Sequence, residues 1–185
     1  AVADGSWPRE RLMGREVHGK VLGLVGFGAI ARETATRARA LGMSIIAADP
    51  FVKADDPAWG RIGARSVDLA TLLAEADAVS LHVPLTAETR NLIDAVRLAA
   101  MKRDAVIVNA ARGGVIDEAA LAAALKAGSI AGAALDVFDV EPLKAGSPLA
   151  GCPNLILTPH IAGVTVESNV RVSSVTAANV RRVLK

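Results

Sequence analysis

Val21-Leu22-Gly23-Leu24-Val25-Gly26-Phe27-Gly28-Ala29-Ile30-Ala31 runs from an apolar stretch into a glycine turn and out into a helical pattern. The turn reads G-x-G-x-x-A, a variant of the fingerprint that sets a dinucleotide pyrophosphate on the first amides of a helix. Gly26 permits the tight turn, Gly28 lets the backbone approach an anion, and Ala31 is small enough for helix and strand to pack closely. The free amides at the helix start face that anion, assisted by the positive end of the helix dipole. Glycines alone would be weak evidence, but Asp49 ends the next apolar run, 21 positions after Gly28. A carboxylate there accepts hydrogen bonds from the adenosine ribose hydroxyls and repels a 2′-phosphate, which favours NAD over NADP. The competing reading is a strand-end turn with a capping aspartate.

Outward from this unit the same alternation repeats. Val21–Gly26, Ser44–Asp49, Ala78–Val83, Ala105–Ala110, Gly132–Asp136 and Leu155–Thr158 are short and mostly apolar, as expected of parallel strands covered on both faces. Ala64–Ser66 is a weaker seventh. Between them, Leu69, Leu72, Leu73 and Ala76 share one helix face, Ala29 to Leu41 reads as a helix stopped by Gly42, and Leu121 and Leu125 lie in a segment that Asp117 caps and Gly128 ends. After Thr165, as N-cap, a long final helix is expected. Pro50–Gly63 and Phe138–Asn154 read as loops from their prolines and glycines. The pattern predicts an α/β fold: a Rossmann-type doubly wound parallel sheet of six or seven strands in a single domain, residues 21–185, preceded by an arm, residues 1–20. Trp7, Leu12, Met13 and Val17 are apolar residues in that charged arm, and a second copy of the chain would cover them.

Composition narrows the function. Of 185 residues, 52% are hydrophobic and 22% charged, which excludes wholesale disorder. There are 37 alanines but five aromatics and no tyrosine, so the stacking platforms of single-strand nucleic acid binders are lacking. The net charge is only +2, and the basic group Arg171, Arg181, Arg182 and Lys185 reads as a solvated helix face, so no nucleic acid partner is expected. The single cysteine, Cys152, makes no internal disulfide, and His18, His82 and His160 are too scattered for a metal site. No apolar run reaches the roughly 18 residues of a membrane span, so no membrane partner is expected and a cytoplasmic location is.

Three more motifs follow later strands, where open α/β sheets place ligands. They are Asn109-Ala110-Ala111-Arg112-Gly113-Gly114, Asp136-Val137-Phe138-Asp139-Val140-Glu141-Pro142 and Thr158-Pro159-His160-Ile161-Ala162-Gly163. Each alone has a bland explanation: a surface charge, a loop carboxylate, a capped loop histidine. Together they put one Arg, one Glu and one His at the rim of one crevice.

With these motifs, and with His82-Val83-Pro84-Leu85-Thr86, the sequence resembles the D-isomer-specific 2-hydroxyacid dehydrogenases, which include phosphoglycerate dehydrogenase; the likeness runs from Trp7 and Gly19-Lys20 to the terminal helix. The resemblance implies an NAD-dependent oxidoreductase that passes hydride between the cofactor and a small D-2-hydroxy acid or 2-oxo acid. It implies that Arg112 holds the substrate carboxylate and 2-oxo group, that His160 exchanges the C2 hydroxyl proton, and that Glu141 bonds His160 and favours its protonated form. For NAD it points to Gly26, Gly28, Ala29 and Ile30 at the pyrophosphate, Asp49 at the ribose, and Val83, Pro84 and Thr89 on the adenosine side. Ala110, Ala111, Arg112, Asp136, His160 and Gly163 fall around the nicotinamide half. It also implies a homodimer.

The chain departs from the family in two ways. Ala29 stands where the family often has Arg, which removes a side-chain contact to phosphate. The family's substrate domain is absent from these residues, so the chain, which opens on Ala1, is expected to be a fragment whose isolated activity is low. An alternative from another class stays open: an NAD-sensing protein-interaction module like the transcriptional corepressors that resemble this family.

Overall fold

The computed structural model describes residues 2–11 and 13–184. Leu12 of the arm and Lys185 of the basic group lie outside the described residues. Seven strands, β1 (Val21–Val25), β2 (Ser44–Ala48), β3 (Ala64–Ser66), β4 (Ala78–Leu81), β5 (Val106–Asn109), β6 (Gly132–Leu135) and β7 (Leu155–Leu157), pair in parallel in the order β3-β2-β1-β4-β5-β6-β7. The chain winds outward from β1 to β3, then returns to lay β4 against the other side of β1. That reversal opens a crevice beyond the C-terminal ends of β1 and β4. The sheet agrees with the sequence expectation, including its weak third strand.

The helices form where caps and small residues direct them. α1 (Ala29–Ala40) buries Ala31, Ala35 and Ala38, a stripe of methyl groups that brings it close to the sheet. α3 (Leu69–Glu75), α4 (Ala95–Ala99) and α5 (Glu118–Ala127) each start where an aspartate side chain, Asp68, Asp94 or Asp117, accepts a backbone N–H of the first turn. One expectation is corrected. The segment Pro50–Gly63 is not all loop, because α2 (Pro57–Ile62) lies inside it. Pro57 reads as a breaker, yet at the first helical position its missing N–H costs nothing, and Asp56 caps the turn through the Ala58 amide.

Two apolar clusters sit on opposite faces. One, under α1 and α2, gathers Leu22, Leu24, Phe27, Ile45 and Trp59; the Trp59 ring stacks on Phe27 with centroids 4.2 Å apart. The other, under α3, α4 and α5, gathers Leu72, Leu73, Val79, Ile107 and Leu121. Each buried leucine of this kind contributes about 1.5–3 kcal/mol by leaving water. The expectation that every strand is covered on both faces fails on one half of the sheet. Ser80, Val108, Ala134 and Ile156 are successive partners across β4 to β7, and all four are half-buried or exposed. α1 and α2 reach only β1 to β3 on that face, so the apolar runs of β5 and β7 are two-sided in sequence but one-sided in packing. The last helix, α6 (Val166–Val183), has the expected N-cap Thr165, which forms a capping box with Ser168, and buries none of its residues.

Candidate functional site

The residues expected to bind the dinucleotide and the substrate follow the C-terminal ends of β1, β2, β4, β5, β6 and β7. Gly26 closes β1 at φ +91°, a conformation that favours glycine, and a Cβ there would stand 2.8 Å from the His82 carbonyl oxygen. This close approach seats the glycine turn against β4. Gly28 follows as the N-cap of α1; it makes no side-chain cap and has open space around it. The first amides of α1, at Ala29 and Ile30, therefore start beside an accessible surface, and no acidic residue occupies the first turn.

Asp49, one residue past β2, uses both carboxylate oxygens to set its position. Oδ2 accepts from the Phe27 amide at 2.7 Å and Oδ1 from the Phe51 amide at 2.9 Å. Each oxygen retains acceptor capacity for a ribose hydroxyl. Val83 and Pro84 follow β4, and Thr89 ties off their loop by donating to the Pro84 carbonyl at 2.6 Å. The donor set, the open glycine turn and the fixed carboxylate fit a dinucleotide in extended form across the strand ends.

On the other side of the crevice, Arg112 rides on a turn after β5. Asn109, nearly fully buried, builds that turn: its amide donates to the Arg112 carbonyl at 2.9 Å and its side-chain oxygen accepts the Ala111 amide at 3.0 Å. The Arg112 guanidinium is exposed and donates to the Ala111 carbonyl at 2.6 Å. Gly113 touches the following loop so closely that a Cβ would come within 1.7 Å of the Phe138 carbonyl oxygen. The Arg112 turn and the loop that carries Glu141 are thus one packed unit.

His160 Nδ1 lies 2.8 Å from Glu141 Oε2, while the other carboxylate oxygen accepts the Phe138 amide at 3.0 Å. The His160 bond, and after it the Phe138 amide, hold Glu141 below the usual glutamate range. The histidine backbone has φ +56°, an uncommon conformation costing about 1–3 kcal/mol in a residue with a side chain. Asp136 holds it there from both sides. Its Oδ1 accepts from Thr158 Oγ1 at 2.6 Å and the Ile161 amide at 2.9 Å, and its Oδ2 accepts the Ala162 amide at 2.8 Å. Burial pushes the Asp136 carboxyl up, but those hydrogen bonds and the neighbouring His160 outweigh it and leave it below its ordinary value. Among the described residues, no hydrogen bond joins Arg112 to the His160–Glu141 pair. A cavity of about 630 Å³ opens beside that pair, walled by Phe138, Leu143 and Leu157.

Sequence reasoning passed over Asn109 and Thr158 as support for Arg112 and His160. Asn109 was legible in principle, since an Asn two residues before an amide it can accept is an Asx-turn signal. Among the described residues there is no group of three or more His, Cys, Asp or Glu placed to hold a metal ion, and no helix is long and apolar enough to cross a membrane.

Comparison with known proteins shows the family. Residues 1–162 match the model of the "D-isomer specific 2-hydroxyacid dehydrogenase, NAD binding domain". The (S)-sulfolactate dehydrogenase of Chromohalobacter salexigens is 58% identical over 99% of this chain and 59% of its own length. The D-3-phosphoglycerate dehydrogenase of Archaeoglobus fulgidus is 43% identical over 100% of this chain and 35% of its own. The crystal structure of D-lactate dehydrogenase from Aquifex aeolicus, complexed with NAD and lactic acid, superposes with a TM-score of 0.85 at 33% identity, over 99% of this chain and 58% of that one. The chain therefore spans well under two thirds of the proteins it matches.

Proposed function

The chain belongs to the D-isomer specific 2-hydroxyacid dehydrogenase family as its NAD-binding domain, and from that premise we propose that it is the cofactor-holding half of an oxidoreductase acting on a D-2-hydroxy acid and its 2-oxo acid. The observation that carries this reading is the His160–Glu141 pair, 2.8 Å apart, on a backbone that Asp136 holds in an uncommon conformation. Bound NAD(H) supplies or accepts the hydride. Ala29 and Ile30 would receive the pyrophosphate on backbone amides, the turn of Gly26 (whose own amide is taken by the Ala48 carbonyl) and the open Gly28 would give it room, and Asp49 would accept from the adenosine ribose. Val83, Pro84 and Thr89 flank the adenosine side; Ala110, Ala111, Asp136 and Gly163 flank the nicotinamide half.

In the direction of reduction, Arg112 draws in the substrate carboxylate and polarises the 2-oxo group, and His160 donates the proton that makes it a hydroxyl. Glu141, anionic over a wide pH range, bonds Nδ1 and so leaves Nε2 as the atom turned to substrate. In oxidation the same nitrogen removes that proton.

The (S)-sulfolactate relative suggests the substrate to try first. A sulfonate on C3 raises that branch above the carboxyl in the naming priorities, so (S)-sulfolactate has the same arrangement at C2 as a D-2-hydroxy acid. A D-configured acid bearing an anion on C3 thus satisfies both names. The chain is also proposed to form a homodimer through its arm, residues 1–20, where Trp7 and Met13 are about four-fifths exposed. The corepressor-like alternative gains nothing from these relatives, which are named as enzymes.

Calorimetry with NADH, paired with an assay of NADH oxidation by 3-sulfopyruvate and hydroxypyruvate, tests the reading. The 185 residues are expected to bind NADH and to turn over poorly, because an open crevice forfeits much of the roughly 7–11 kcal/mol that positioning supplies. Absence of NADH binding would overturn the cofactor role. Turnover at ordinary enzyme rates would overturn the need for a second domain.

A further inference from the structure

Arg32 has no part in the site described so far. It lies one turn into α1, half-buried, and its Nε donates to the Phe27 carbonyl at 2.9 Å. That acceptor precedes the helix, so the side chain folds back toward the N-terminal end, the direction in which helical side chains already lean. The guanidinium carbon sits 5.1 Å from the centroid of the Phe27 ring, the ring that stacks on Trp59. A carbonyl and an aromatic ring fix the group, yet among the described residues no carboxylate pairs with it. Its neighbours at the helix start are the open Gly28 and a first turn without acids. Arg112 across the crevice is held in the same manner, by a backbone carbonyl and without a carboxylate.

Resting on the reading of this chain as an NAD-binding domain, we propose that Arg32 binds the pyrophosphate of the dinucleotide, providing the side-chain cation that Ala29 does not. An ammonium or amide would serve less well, because Nε is committed to Phe27 while the two terminal nitrogens remain to face an anion. The competing role is that of a strut between α1 and Phe27.

The test is fluorescence titration of the 185-residue chain with NADH, and displacement of NADH by ADP-ribose and by adenosine, for the wild type, Arg32→Gln and Arg32→Lys at low salt. Arg32→Gln is expected to weaken NADH and ADP-ribose by about tenfold while adenosine stays within about twofold, and Arg32→Lys is expected to fall between. Unchanged NADH and ADP-ribose affinity in Arg32→Gln overturns the proposal. So does an equal loss for all three ligands, which is what a strut would give. A wild type that binds none of the three brings down the NAD-binding reading itself, a result distinct from wild-type binding that Arg32→Gln leaves intact.

Discussion

The body of the molecule and its two ends are built on opposite terms. From β1 to the turn near Leu149, nearly every strand and helix contributes to one of two apolar clusters, and side chains such as Leu24, Leu72 and Ile107 are completely buried. Residues 2–20 and α6 bury none of their described side chains. The body and α6 are both rich in aliphatic residues, yet α6 has Val166, Val170, Val172, Val175, Val180 and Val183 exposed. Composition alone therefore does not separate them. What separates them is whether a second element lies opposite, as the open face of β4 to β7 also shows.

The sharpest way to break this comparison is to remove the same kind of side chain from each region. Leu72→Ala empties a site beneath β1 and is expected to cost about 2–5 kcal/mol, read as a lowered midpoint in urea unfolding at unchanged slope. A loss under 1 kcal/mol would mean that the body is far looser than its burial implies. Gly113→Ala should approach the same size, because the clash falls on the Phe138 carbonyl and the backbone itself must move.

Next in size is a change confined to the crevice. Asp49→Ala is expected to weaken NADH binding about ten- to a hundredfold and to narrow the preference over NADPH, since a charge-assisted acceptor and a repulsive charge disappear together. Binding isotherms for both cofactors check this. Unchanged isotherms would remove Asp49 from the site, however well the glycine turn fits.

A smaller effect reads the border between buried and open. His82 lies half-buried behind the glycine turn, with Nε2 3.0 Å from Ser80 Oγ. Burial holds its pKa below the ordinary value, so the unfolded chain takes up a proton first as pH falls. Its contribution to stability is whole above the unfolded value, about 6.5, and is lost progressively as pH falls toward the lower folded one. Unfolding free energies measured across pH 7.5 to 5 should decline in the wild type, and more gently in His82→Gln. Parallel curves would place the acid sensitivity elsewhere.

These contrasts explain what could be read before the fold was seen. β1, α1 and their glycine turn were legible because each signal (apolar run, small-residue stripe, Asp49 at the next strand end) pointed to one local geometry. α2 was hidden because Pro57 signals both a break and a helix start, and only the Asp56 cap decides between them. The bare face of β5 and β7 was hidden because Val108 and Ile156 are apolar whichever side they face. At the candidate site, the positions of Arg112, Glu141 and His160 after strands were legible from spacing. The supports from Thr158 and Asp136 depend on side-chain direction, which spacing does not specify, whereas the Asn109 turn has a local Asx-turn signal.

The smallest expected effect is the most diagnostic of the ends. Val175 sits in the middle of α6, 57% exposed, on a helix whose Thr165–Ser168 capping box is complete. Val175→Ala removes little buried area and replaces a β-branched residue with the best helix former. The two effects oppose each other and should leave stability within about 0.5 kcal/mol of the wild type. The measurement has to be made at two protein concentrations. If copies of the chain cover α6, the same substitution empties an interface, and the loss will exceed that limit and grow with concentration, as mass action requires. A concentration-independent loss of about 2 kcal/mol or more would instead mean that α6 packs on its own body, although none of its residues is buried. A change near zero at both concentrations is the expected result, and it would leave α6 as a helix held by its caps and propensity alone.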